Sequence, residues 1–197
     1  MENGFQPGDI FFTRGTGFIS KAIRLFSRSF GESRTRVNHV GLVVTAGSVK
    51  TCRVVEALHV VRRHSLWKRY GPPKPDRVAV YRPLNLSREE IEILVEEANE
   101  QVGKTYGYLK LLAHLLDWFL QGAYVFRRLT RNKNYPICSW LVAHACSKID
   151  KHFGVDPGAA QPDDIWDFVL SNPKKYMPVY PLGPLAADDE PRRLDKK

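Results

Sequence analysis

A cysteine, a histidine and a glutamate stand in three separate stretches of this chain, each with the character its chemistry would need. Cys138 follows Pro136 and Ile137, His39 opens the run Asn38-His39-Val40-Gly41, and Glu56 sits within Val54-Val55-Glu56-Ala57. A thiol becomes a strong nucleophile when a base takes its proton, and the base works when a partner fixes its tautomer and orientation.

Cys138 falls at the predicted first turn of a helix. Unpaired backbone N–H groups and the positive end of the helix dipole there favour a thiolate, and the same N–H groups suit an oxyanion. Free cysteine also serves as a small buried apolar residue. Cys146, two turns deeper on the same helix, reads as core, and Cys52 beside Arg53 reads as structural. Among the six histidines, His39 has the setting of a base. It begins an apolar strand, and Gly41 on the same face leaves room for a side chain or substrate to approach. His59 and His64 fall in a basic segment expected to be exposed. His144 is the fallback base, although its spacing puts it on the opposite side of the helix from Cys138. Glu56 lies in a β-branched run where an unpaired carboxylate is costly, so a partner is expected. Either the His39 strand supplies it, through a hairpin, or a basic residue such as Arg53 does.

The elements that would hold these groups are legible as periodicities. Asp9 to Thr13, His39 to Thr45, Thr51 to Ala57 and Arg77 to Arg82 read as strands, and His59 to Arg63 extends the same sheet. Phe18 to Phe30 reads as an amphipathic helix. Ser87-Arg-Glu-Glu90 is a capping box that opens a helix closed by Gly103. Further helices are predicted over 107–121, over 138–151, and after Pro162-Asp163-Asp164. Strands come mostly first and helices later, which predicts an α+β fold with a largely antiparallel sheet.

Size and charge bound the rest. The 197 residues, 43% hydrophobic, suit one globular domain, and the formal net charge of +9 favours an anionic polymer or membrane surface as partner. No nucleic-acid motif accompanies the basic clusters. Three cysteines without CxxC spacing argue against a disulfide framework or a zinc site, so neither metal nor other cofactor is expected. No signal peptide is recognisable at the start, and charged or polar residues interrupt the apolar stretch from Leu109 to Phe126. The expectation is a cytoplasmic, reducing home, with action at a cell wall requiring export or lysis.

Taken together, Pro7-Gly8-Asp9-Ile10, Asn38-His39-Val40-Gly41, Val55-Glu56-Ala57, Gly103-Lys104-Thr105-Tyr106, Tyr135-Pro136-Ile137-Cys138-Ser139 and Pro162-Asp163-Asp164-Ile165 resemble the permuted NlpC-type papain-like hydrolases, YiiX/YycO-like branch. The resemblance covers residues 5–182 and leaves 183–197 as a charged, flexible tail. It implies a circularly permuted papain-like fold, with the nucleophile at a helix N-terminus placed after the base instead of before it. It also implies Cys138 as nucleophile, His39 as base and Glu56 as its orienting partner, with Tyr106, Tyr135 and Ser139 as candidates for the oxyanion or substrate. Asn38 stands where the family usually has Ser or Thr. The stretch from Tyr108 to Asn134 is long and apolar, suited to a lid or a substrate-facing wall.

The expected activity is hydrolysis of an amide through an acyl-enzyme, with a cell-wall peptide as substrate. A lipid acyl hydrolase or acyltransferase of the lecithin retinol acyltransferase-like type is the alternative chemistry. A non-catalytic module binding an anionic partner is the alternative of another class, and Cys138→Ala separates it from both enzymes.

Overall fold

The computed structural model describes residues 4–14, 37–71, 78–105 and 137–180. The helices expected over 18–30 and 107–121, together with Tyr106, Tyr135 and the tail, lie outside the described residues. Six strands form one sheet: β1 (Ile10–Thr13), β2 (His39–Thr45), β3 (Arg53–Ala57), β4 (Val61–Ser65), β5 (Val78–Pro83) and β6 (Tyr176–Tyr180). Their order across the sheet is β4-β3-β2-β1-β5-β6, and each neighbouring pair is antiparallel. Four helices accompany them among the described residues: α1 (Leu66–Tyr70), α2 (Arg88–Glu100), α3 (Cys138–Ser147) and α4 (Pro162–Ser171). The expected α+β class and antiparallel sheet are what the chain forms.

Alternation along the strands divides the core. Ile10, Phe12, Val40, Leu42, Val55 and Ala57 join one cluster with Leu94 and Ala98 of α2, Leu141 and Val142 of α3, and Ile165 and Trp166 of α4. The Trp166 ring meets Phe12 and Tyr81 edge-on, at centroid distances of 5.1 and 5.6 Å. Phe11, Val43, Val54 and Val80 belong to a second cluster with Phe5, Cys52 and Leu66. The expected capping box is present at α2: Ser87 Oγ accepts from the Glu90 N–H while the Glu90 carboxylate accepts from the Ser87 N–H.

Three expectations need correction. The cysteine helix stops at Ser147 instead of running to Lys151, because the chain turns there and Asp150 takes a left-handed φ of 54°. α1 and β6 were not anticipated. α1 has only five residues, too few for a periodic signal, and β6 carries Pro178, which is tolerated at a sheet edge.

Asp9 fastens β1 to its neighbours. Its buried carboxylate accepts from Arg82 Nε at 2.7 Å and Nη2 at 2.8 Å, and from the Gln6 N–H at 2.8 Å. Gly41 has a steric role. A Cβ there would lie 2.4 Å from Phe11 Cε1 and 2.9 Å from the Val55 carbonyl oxygen. The room that a glycine leaves on this strand is thus filled by the Phe11 ring. Gly41→Ala is expected to lower stability by about 2 kcal/mol through overpacking, measured as a fall in the urea midpoint.

Candidate functional site

β2 and β3 pair with Leu42 opposite Val55, so Gly41 falls opposite Glu56, with His39 two residues further along the same strand face. The His39 imidazole reaches Glu56 diagonally across the β2–β3 pair, and His39 Nε2 hydrogen-bonds Glu56 Oε2. Phe11 backs the imidazole at a centroid distance of 6.3 Å. Glu56 is 0% exposed and His39 15% exposed.

α3 begins at the start of β2, and its cap residue Ile137 offers no side-chain hydrogen bond. Ile137 therefore does not compete for the first-turn N–H groups, which can serve a ligand or the sulfur. Cys138 is buried beside the His39 imidazole, and that imidazole, with the backbone N–H groups of Val40 and Ser139, favours its thiolate. With His39 Nε2 on Glu56, Nδ1 is the nitrogen left for the sulfur. Of the three residues singled out by sequence, His39 and Glu56 are joined by a hydrogen bond, and Cys138 lies close enough to His39 for each to bear on the other's charge.

The electrostatics follow from these contacts. Burial opposes charge on His39, but the charges of Glu56 and Cys138 outweigh it and push the imidazole up to about 10. Burial likewise opposes a Cys138 thiolate, yet His39 and the two N–H donors bring the thiol below its ordinary value. Burial alone would raise Glu56. The His39 charge, with hydrogen bonds from His39, His64 and Tyr70, instead holds it far below the carboxylate range. Each of the two charges thus favours the other, the imidazolium drawing the thiol down and the thiolate drawing the imidazole up.

The other cysteines differ. Burial pushes Cys146 up to about 12 and raises Cys52, so both stay protonated thiols. His144 stacks on Trp140 at 4.4 Å and sits 3.6 Å from Glu97, which removes it as an alternative base. The Ser139 hydroxyl is fully buried and donates to the Ala160 carbonyl at 2.6 Å, which ties α3 to the loop before α4 and leaves the backbone N–H as the group Ser139 can offer an oxyanion.

Three neighbours of Glu56 carry no mark in the sequence. His64, expected in an exposed segment, is only 17% exposed, with Nε2 2.5 Å from Glu56 Oε1. Tyr70 donates its hydroxyl to Glu56 Oε2 at 2.7 Å, and Arg69 Nε lies 3.5 Å from Oε1. Arg69, from α1, is the basic neighbour of Glu56, in place of Arg53. The β3–β4 register explains the placement: Val54 pairs with His64 and Glu56 with Arg62, so His64 shares the face of Glu56.

Among the described residues, no group of three or more His, Cys, Asp and Glu side chains is placed to hold a metal ion, and no helix is long and apolar enough to cross a membrane.

A sequence model of the family described as a permuted papain-like amidase enzyme, YaeF/YiiX, C92 family, matches residues 4–114. That span includes His39 and Glu56 and ends before Cys138. A crystal structure of the metalloprotein yiiX from Escherichia coli O157:H7 superposes with a TM-score of 0.53 at 22% identity, over 76% of this chain and 69% of that one. At that identity the likeness concerns the fold. No curated protein matches the chain.

The buried carboxylate has a pH signature. Glu56 is lowered from 4.5, so its stabilisation is present above pH 4.5 and disappears as pH falls through the lower folded value. His39 is raised from 6.5 to about 10, so its contribution is full below pH 6.5 and is lost as pH rises towards 10. Glu56→Ala is expected to lower stability by about 3 kcal/mol between these limits. The gap to the wild type should narrow in acid and again in alkali, as read from urea melts across pH.

Proposed function

The chain belongs to the permuted papain-like amidases, and on that premise we propose a cysteine amidase that works through an acyl-enzyme at Cys138. One observation carries the reading: the buried Glu56 carboxylate holds the His39 imidazole by a hydrogen bond, and that imidazole favours the thiolate of Cys138 beside it.

The Cys138 thiolate attacks the amide carbonyl and forms the S–C bond. First-turn N–H groups of α3 suit the developing oxyanion, and the dipole of the helix adds to their effect. As the C–N bond breaks, the proton on His39 passes to the leaving amine. Water then enters, gives a proton to His39 and attacks the thioester carbonyl. The acid departs and Cys138 returns as thiolate. Glu56 keeps the imidazole in one orientation through both proton transfers.

The substrate we assign is an amide within a cell-wall peptide. The amidase family supports the bond type, and the net charge of +9 supports an acidic polymer as its carrier. Incubation with purified cell wall should release new amino groups, and Cys138→Ala should abolish that release. Glu56→Gln should lower kcat by roughly a hundredfold, the scale of a lost acid–base arrangement. Release of acyl chains from lipid without new amino groups would replace the peptide assignment with lipid chemistry. Equal binding of the wall by wild type and Cys138→Ala, with no bond cleaved by either, would overturn the enzyme.

The same reading predicts that iodoacetamide modifies Cys138 in preference to Cys52 and Cys146 well below the ordinary thiol pKa of about 8.5. His39→Ala should remove that preference, with the site of modification located by mass spectrometry.

A further inference from the structure

His64 lies between two groups that only accept hydrogen bonds. Its Nδ1 is 2.9 Å from the Ser65 carbonyl oxygen and its Nε2 is 2.5 Å from Glu56 Oε1. A neutral imidazole carries one N–H and can satisfy one acceptor, whereas an imidazolium carries two and satisfies both. The two contacts therefore specify the charged ring. We propose that His64 is an imidazolium that positions Glu56 and shares its charge, so that His39 stays acidic enough to return its proton to the leaving group.

The arrangement around Glu56 supports a division of labour. Oε2 receives His39 Nε2 and the Tyr70 hydroxyl, while Oε1 receives His64 Nε2, with Arg69 Nε at 3.5 Å. Each oxygen thus has a firm donor on β3's neighbouring elements, and the carboxylate plane is held against rotation. The charged and titratable groups facing His64 are Glu56 from β3, Arg69 and Tyr70 from α1, His39 from β2 across Glu56, and Arg62 two residues away on its own strand. Glu56 is the acid in that set. The hydrogen bond to Glu56 raises His64, against the opposing effects of burial and Arg69.

The consequence concerns His39. A full carboxylate on one side and a thiolate on the other stabilise its proton strongly, which favours attack by sulfur and hinders the later transfer to nitrogen. A cation on the far oxygen of Glu56 weakens that hold without disturbing the orientation. This role rests on reading Cys138, His39 and Glu56 as the catalytic set. His64 itself touches no reacting atom, so it is a positioning residue.

Nitrogen-15 NMR of histidine-labelled protein tests the charge directly, with the His64 signals assigned by their loss in His64→Gln. Both ring nitrogens of wild-type His64 should carry protons at neutral pH. A pyridine-type nitrogen there overturns the proposal. The pH dependence of Cys138 alkylation tests the coupling. His64→Gln removes a positive charge and should move the acid limb upward by about half a pH unit, roughly threefold in rate on that limb. His64→Lys keeps the charge and should leave the limb near its wild-type position. Superimposed wild-type and His64→Gln profiles, or equal displacement by both variants, would overturn charge sharing. An ordinary thiol profile in the wild type would instead sink the catalytic reading of Cys138, while the nitrogen spectrum would still decide the charge of His64.

Discussion

The arrangement depends on a carboxylate that has no contact with water. Glu56 is 0% exposed in a strand whose neighbours are Val54, Val55 and Ala57, where an uncompensated charge would be several kcal/mol unfavourable. Every donor near it is thereby constrained. His39 is held on β2, His64 on β4 and Tyr70 on α1, so one residue fastens three elements of the sheet's outer half. What reads as a catalytic partner for one histidine is also a structural centre for that half of the sheet.

The parts visible in the sequence were those with a local signature. Cys138 was marked by the helix that follows it, His39 by its position opening an apolar run, and Glu56 by being a charge where none is welcome. His64 and Tyr70 lacked such marks. His64 shares a stretch with Arg62 and Arg63, and only the β3–β4 register shows that it points with Glu56. Tyr70 ends a five-residue helix closed before Gly71, and its hydroxyl reaches Glu56 across 14 positions of chain. The glycine at 41 was read correctly as a place of close approach. Its occupant, Phe11, comes from a strand 30 residues earlier, beyond any local pattern. Ser139 was the opposite case: its neighbourhood with Cys138 was plain, but the direction of its hydroxyl depended on Ala160.

The permuted order divides the site between two kinds of support. The sheet carries His39, Glu56, His64 and the Phe11 ring, all within strands fixed by ladders and by the Asp9–Arg82 pair. The helix α3 carries only the sulfur and its first-turn N–H groups, and it meets the sheet at the start of β2. Base and carboxylate are therefore set by strand register, while the thiol is set by helix packing against Leu94, Val40 and Leu42 in the large core cluster. A helix shift would separate sulfur from imidazole without disturbing the His39–Glu56 bond.

The two margins of the sheet also bear on how the molecules behave towards one another. Unpaired strand edges invite another chain to add a strand, the first step of edge-to-edge aggregation. Among the described residues β4 is one outer strand, and its exposed Arg62 and Arg63 set like charges against an incoming copy. The start of β4 is capped as well, since the Val61 N–H donates to Lys104 and the Gly103 N–H to Val61. At the other margin β6 contains Pro178, which has no N–H to offer. The strand that contributes His64 to the Glu56 cluster is thus also a guarded edge, so a substitution at Arg63, on the opposite face from Glu56, would bear on colloidal behaviour before it bore on chemistry.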